Sequence, residues 1–198
     1  MQYRSGLSIA SDRDVYPPSE DSELLIDALD VRRGERVLEI GCGSGVVSIH
    51  CALAGAEVVC GDVNPRAVAL TRMNAAANGA VLEAVETDVY SNVEGRFDLV
   101  LFNLPYLPVE EGEGLARAWS GGPDGLGPLP RLLDGAPKHL LPGGRVVVVT
   151  SSLMDRKGLR EILAPYSVRT LAKLPMFFER LSVLEISFRA LVHQADVH

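Results

Sequence analysis

Short, nearly continuous apolar runs alternate along this chain with longer stretches whose apolar residues recur at three- and four-residue spacing. The first pattern predicts buried strands and the second amphipathic helices. Pro17-Pro18-Ser19-Glu20-Asp21 announces a helix, with Ser19 as N-cap and acids in the first turn, continuing through Leu24, Leu25, Ile26, Ala28 and Leu29. Strand one is read at Arg36–Ile40; it breaks at Gly41-Cys42-Gly43-Ser44-Gly45, and an apolar helix follows over Val46–Ala54. Glu57–Cys60 reads as strand two, ending at Asp62. Asn64-Pro65 then starts a third helix, with Pro65 at the first helical position, running to about Asn78-Gly79. Strand three is expected at Val81–Val85 and strand four at Phe97–Phe102. A Gly/Pro-rich stretch, 104–128, precedes a helix over Leu129–Leu141, and Pro142-Gly143-Gly144 turns into a strand at Arg145–Thr150. The tail reads as a helix near Arg156–Leu163 and two strands, Ser167–Leu174 and Arg180–Phe188.

Apolar strands alternating with helices imply a parallel sheet covered on both faces, and the short link between the last two strands forces an antiparallel pair. The expected fold is α/β: a doubly wound, Rossmann-like seven-stranded sheet with a C-terminal antiparallel hairpin, the class I methyltransferase architecture. At 198 residues, without repeats or a linker, the chain is expected to form one domain over 1–198, with an N-terminal lead at 1–15 and a substrate loop at 104–128. No apolar run approaches the ~18 residues of a membrane span, and Met1-Gln2-Tyr3-Arg4-Ser5 lacks the apolar core of a signal peptide. The cytoplasm is the expected compartment. Cys42, Cys51 and Cys60 sit in apolar segments without CxxC spacing and read as reduced core residues. The four histidines are scattered, so no metal site is expected. A net charge of −7 with no basic run makes a nucleic-acid substrate unfavourable.

In a doubly wound sheet the ligand lies beyond the carboxyl ends of the strands. The turn Gly41-Cys42-Gly43-Ser44-Gly45 lets backbone approach a ligand closely. A dinucleotide fingerprint would need a third glycine where Val46 stands. Glu39, before the turn, is placed to meet a cationic amino group. Asp62, ending strand two, suits the two hydroxyls of a ribose, and Asp88, after strand three, the exocyclic amine of an adenine. With Val63 and Val89 beside them, these residues suit an adenosine carrying a charged amino acid.

Asn103-Leu104-Pro105-Tyr106 follows strand four. An amide or aromatic amine nitrogen is a poor nucleophile because its lone pair is delocalised. The Asn103 side-chain oxygen and a backbone carbonyl at Leu104 or Pro105 can accept both N–H bonds, orienting the nitrogen and stabilising its growing positive charge. Pro105 would hold the carbonyl rigidly, and Tyr106 would offer a flat face to a planar group.

This loop, Val15-Tyr16-Pro17-Pro18-Ser19-Glu20-Asp21-Ser22, Ala118-Trp119-Ser120-Gly121-Gly122-Pro123-Asp124-Gly125 and Phe178-Glu179-Arg180-Leu181-Ser182-Val183-Leu184-Glu185 together resemble the HemK-like protein-glutamine methyltransferases. The resemblance runs from Asp14 to about Phe188. It implies S-adenosylmethionine as cofactor and, as substrate, the glutamine of the Gly-Gly-Gln motif of class-1 translation release factors. It adds Tyr16 and Ser22 to the cofactor pocket of Glu39, Gly41, Cys42, Gly43, Asp62, Val63, Asp88, Val89 and Asn103. Two departures stand out: Leu104 replaces the usual first proline of the loop, and the helical domain that precedes the segment in bacterial members is missing before Tyr16. The chain is thus closer to the short archaeal and eukaryotic branch, which works with a small zinc-binding activator; strand three, as an exposed edge, is where such a partner would add a strand. The loop alone is shared with nucleic-acid amino-methyltransferases. An RNA or DNA base, a lysine, or a non-catalytic scaffold role therefore remain alternatives.

Overall fold

The computed structural model describes residues 1–106 and 121–188. Seven strands, β1 (Arg36–Ile40), β2 (Glu57–Asp62), β3 (Glu83–Glu86), β4 (Phe97–Asn103), β5 (Leu140–Ser151), β6 (Ser167–Pro175) and β7 (Arg180–Ser187), form one sheet in the order β3-β2-β1-β4-β5-β7-β6. The pairs from β3 across to β5 are parallel; β7 pairs antiparallel with both β5 and β6. This is the expected α/β sheet with its C-terminal hairpin.

Among the described residues the helices are α1 (Glu20–Ala28), α2 (Val46–Leu53), α3 (Pro65–Ala77), α4 (Leu129–His139) and α5 (Arg156–Leu163). Side chains of a strand alternate between faces, and here both faces are buried. Leu38, Val100, Phe102, Val146 and Val148 pack with Leu129, Leu132 and Leu133 of α4. Their neighbours Val37, Leu99, Leu101, Val147 and Val149 pack with Leu25 and Ile26 of α1 and Val46 and Val47 of α2. That is why these strands read as unbroken apolar runs. Cys42, Cys51 and Cys60 are buried and free. Among the described residues, no helix is long and apolar enough to cross a membrane.

Local signals were met unevenly. Asn64 caps α3, accepting from the Arg66 amide at 3.0 Å, with Pro65 at the first position. Ser19 precedes α1 but its hydroxyl makes no capping bond; it donates to the Glu20 carboxylate at 2.6 Å instead. Pro142-Gly143-Gly144 is an irregularity inside β5, which already begins at Leu140, because Leu140 pairs with Phe97 before the register shifts. Strand three starts at Glu83, two residues later than expected, and Val81 is 88% exposed.

The β3 edge is not the open template expected. The Thr87 amide donates inward to Asp62 at 2.9 Å, so the alternation of a parallel ladder turns the Ala84 and Glu86 carbonyls outward. The Arg72 guanidinium donates to Ala84 O, and Asn92 Nδ2 to Glu86 O at 2.8 Å. Two side chains of this chain thus occupy the outer acceptors. Of the expected substrate loop, residues 107–120, including Trp119 and Ser120, lie outside the described residues.

Candidate functional site

The carboxyl ends of β1, β2, β3 and β4 open into a cavity of about 580 Å³, within the roughly 300–1,000 Å³ common for small-molecule sites. Its floor is the turn after β1. Gly41 has φ +69°, and a Cβ there would lie 2.7 Å from the Phe102 ring, so only glycine fits. Cys42 is buried beneath the turn, and Gly43 donates its amide to Asp62 Oδ2 at 3.0 Å. Asp62 Oδ1 accepts from the Asn64 amide at 2.9 Å. Each carboxylate oxygen keeps acceptor capacity toward the cavity, and burial raises the carboxyl's pKa.

Glu39 is 2% exposed at the end of β1. It accepts from the amide of Ser48 at 2.9 Å and from its hydroxyl. Burial lifts its pKa to about 8 against the pull of those two bonds. A buried carboxyl so poised accepts a proton or a cation, the property expected of a partner for a ligand ammonium. Asp88 sits at the rim, half exposed, and forms a 2.9 Å ion pair with Arg131 of α4, a contact that sequence reasoning missed. Val63 and Val89 also line the cavity. Val89 has φ +55°, a costly conformation for a β-branched residue and one that clusters at functional sites.

The third wall is the N-terminal lead. Two asparagines one turn apart, Asn74 in α3 and Asn78 at its C-cap, clamp it: Asn78 accepts from Ser8 N and donates to Ser8 O, both at 2.9 Å. Asn74 does the same with Ala10 at 2.9 and 3.2 Å, and also donates to Ser44 O at 2.9 Å. The i, i+4 rise of a helix, about 6 Å, matches the distance between alternate residues of an extended strand. The lead is thereby delivered to Tyr16, which lines the cavity together with Ser22.

Asp21, expected only to favour the helix dipole, is 3% exposed and joins the lead to the catalytic loop. Its Oδ2 accepts from Tyr16 Oη at 3.0 Å and from Tyr106 Oη at 3.4 Å, while Oδ1 accepts from the Ser22 amide at 2.6 Å. Burial and then the Asp21 charge push the Tyr16 hydroxyl up to about 12, and the Tyr106 hydroxyl is raised for the same two reasons. Both tyrosines stay neutral donors. No local pattern could reveal this, since Tyr106 lies 85 residues from Asp21.

Asn103 ends β4, and it and Pro105 line the cavity. Among the described residues, Asn103 Oδ1 is buried and has no hydrogen-bond partner. A lost hydrogen bond at such an atom costs about 1–3 kcal/mol, so the site is built to receive a donor. Leu104 is 2% exposed in the core beneath α4, so its side chain is spent on packing. The Pro105 and Tyr106 carbonyls face the 121–127 segment: a Cβ at Gly121 would stand 2.6 Å from Pro105 O, and one at Gly125 2.7 Å from Tyr106 O.

Residues 18–173 match the family model of the methyltransferase small domain. The chain is 40% identical over 186 residues, 90% of its length and 94% of the relative's, to a Methanocaldococcus jannaschii protein assigned by name to the protein N5-glutamine methyltransferases. It is 40% identical to mouse methyltransferase HEMK2 over 154 residues, 70% of this chain and 72% of that one. Among solved structures, the E. cuniculi Mtq2–Trm112 complex, responsible for methylation of the termination factor eRF1, superposes with TM-score 0.71 at 23% identity, over 89% of this chain and 99% of that one. The glycine floor, the buried cation-seeking carboxyl and the acidic rim fit S-adenosylmethionine, and the chain belongs to the methyltransferase small-domain family, in its HemK-like N5-glutamine branch, as an S-adenosylmethionine-dependent enzyme.

Proposed function

We propose that this enzyme methylates the side-chain amide nitrogen of a glutamine, that of the Gly-Gly-Gln loop of a class-1 translation release factor. The observation that carries the reading is Asn103 Oδ1, buried in the lining of the cofactor cavity and without a hydrogen-bond partner among the described residues. An amide NH₂ has two donors. Asn103 Oδ1 takes one, and with the Pro105 and Tyr106 carbonyls turned toward the 121–127 segment, we assign the second to the Leu104 carbonyl. S-adenosylmethionine supplies a methyl group on a sulfonium, an activated leaving group. The chain's own residues do the rest by position: Glu39 receives the amino-acid ammonium, Asp62 the ribose hydroxyls and Asp88 the adenine amine. Tyr16 and Ser22 close the wall, and Tyr106, tethered to Asp21, flanks the acceptor slot. The two acceptors hold the nitrogen in line and stabilise charge as it develops there. Such a role needs neither a covalent intermediate nor a strong base: S-adenosylhomocysteine leaves as a neutral thioether, and the methylated amide nitrogen, strongly acidic while it carries the extra proton, gives that proton to water.

The names of the Methanocaldococcus jannaschii relative and of the bacterial release factor glutamine methyltransferases support glutamine over a base or a lysine, and the net charge of −7 disfavours a phosphate-bearing substrate. The test is purified enzyme, together with any partner subunit it needs, and labelled cofactor, offered a class-1 release factor, its Gln-to-Ala variant and total RNA. Label should enter the release factor alone and vanish with the variant; label in RNA only would overturn the reading.

A small partner subunit, zinc-binding as the resemblance implies, is part of the proposal. At β3 it must displace Arg72 and Asn92 from the outer carbonyls. Replacing both by alanine should therefore tighten its binding, and unchanged affinity would place the partner elsewhere.

A further inference from the structure

The β6–β7 hairpin ends in three consecutive apolar residues. Met176 is 37%, Phe177 92% and Phe178 86% exposed. Hairpin tips ordinarily carry Gly, Asn, Asp or Ser. Here two aromatic rings stand in water, packed edge to face on each other with centroids 4.6 Å apart. At 150–250 Å² per aromatic side chain, they offer roughly 300 Å² of apolar surface, the scale at which an exposed patch marks a contact site.

The tip is held firmly and in one place. Met176 donates its amide to Glu179 O at 2.8 Å across the turn, Ser152 N donates to Arg180 O at 3.0 Å, and Arg180 N donates to Ser152 Oγ at 2.9 Å. Glu179 accepts from the Ser151 hydroxyl, and its charge helps raise the Tyr106 hydroxyl's pKa, so the base of the tip adjoins the catalytic loop. Because β7 runs against β5, the tip rises from the same end of the sheet as Asn103. Two strand spacings separate β7 from β4 in the sheet, roughly 10 Å. A protein whose side chain fills the Asn103 slot would have its body within reach of these rings.

We propose that Phe177 and Phe178 are the anchor by which the enzyme grips the body of its protein substrate, outside the acceptor slot. This rests on the reading that the substrate is a folded protein presenting one amide side chain. A slot that takes a single side chain buries too little surface to select a protein, and rigid exposed aromatics are the side chains that most often concentrate binding energy at interfaces. The tip leaves the chemistry to Asn103 and the cofactor to the cavity.

The test compares the parent enzyme with Phe177→Ser/Phe178→Ser and with Phe177→Tyr/Phe178→Tyr, on a full-length class-1 release factor and on a short peptide containing Gly-Gly-Gln. The serine pair should raise KM for the release factor at least tenfold. It should leave kcat, the KM for cofactor and turnover of the peptide unchanged, and the tyrosine pair should restore most of the loss. An unchanged KM for the release factor, with the parent enzyme active on it, would overturn this proposal alone. A parent enzyme that stays inactive on the release factor with its small partner subunit present would sink the substrate reading and this proposal with it. A change from dimer to monomer on serine substitution, seen by light scattering, would assign the rings to a second copy of the chain and also overturn it.

Discussion

Cofactor binding should release a proton from Glu39. Without ligand, burial holds this carboxyl at about 8, so at pH 6 it is almost wholly protonated. A cationic amino group beside it favours the ionised form, and binding must expel the proton. If the bound-state pKa falls below 6, the apparent dissociation constant scales as 1 + 10^(8 − pH). It then improves about ninefold from pH 6 to pH 7, close to the full ~1.4 kcal/mol per pKa unit, and levels off above pH 8. The sign for the ligand-free protein is opposite. A raised folded-state pKa gives Glu39 a stabilising contribution that is complete below the ordinary carboxyl range and is lost as pH climbs through 8. The thermal shift produced by cofactor should therefore grow over the same window. Calorimetry with S-adenosylhomocysteine in two buffers of different ionisation enthalpy counts the proton directly. Close to one should be released at pH 6.5, and Glu39→Gln should release none and show a flatter pH dependence. A parent enzyme that releases no proton, or a Gln variant with the same profile, would refute the placement of Glu39 against the cationic group.

Asn103→Ala should lower kcat about 10²–10³-fold, by analogy with loss of one preorganised polar group, and leave cofactor affinity nearly unchanged in calorimetry. Asp21→Ala removes the acceptor shared by Tyr16 and Tyr106; at about 1.5–3 kcal/mol for bonds to a charged group, kcat/KM should fall roughly 10–100-fold, with Asp21→Asn recovering part of it. Asn74→Ala strands the peptide groups of Ala10 and the Ser44 carbonyl. Denaturant unfolding should show a loss of about 1–3 kcal/mol, and cofactor release in stopped flow should be faster.

The strands and helices of the sheet were legible because apolar periodicity is local. Val146–Val149 reads as a strand buried on both faces and is one, and Asn64-Pro65 announces α3 and caps it. The placing of Glu39, Asp62, Asp88 and Asn103 around one cavity was also legible, because fold topology brings the ends of successive parallel strands together. Three things were not. Ser19 carries the sequence of a cap, but a neighbouring carboxylate competes for its hydroxyl. The closure of the β3 edge depends on the reach of Arg72 and Asn92 from other elements, which no pattern within residues 81–86 can encode. The roles of Asp21 and Asn74 arise from partners 85 and 64 residues away, so each read as an ordinary helix residue.

The central claim is that Asn103 positions an amide nitrogen, and the most direct measurement is to locate the methyl group on the product. A class-1 release factor incubated with enzyme and S-adenosylmethionine, then digested and sequenced by fragmentation mass spectrometry, should carry one added methyl on the side-chain nitrogen of the Gly-Gly-Gln glutamine. The Asn103→Ala enzyme should leave that residue unmodified in the same time. A methyl group found on a lysine, or on any other residue while the glutamine stays bare, would contradict the account.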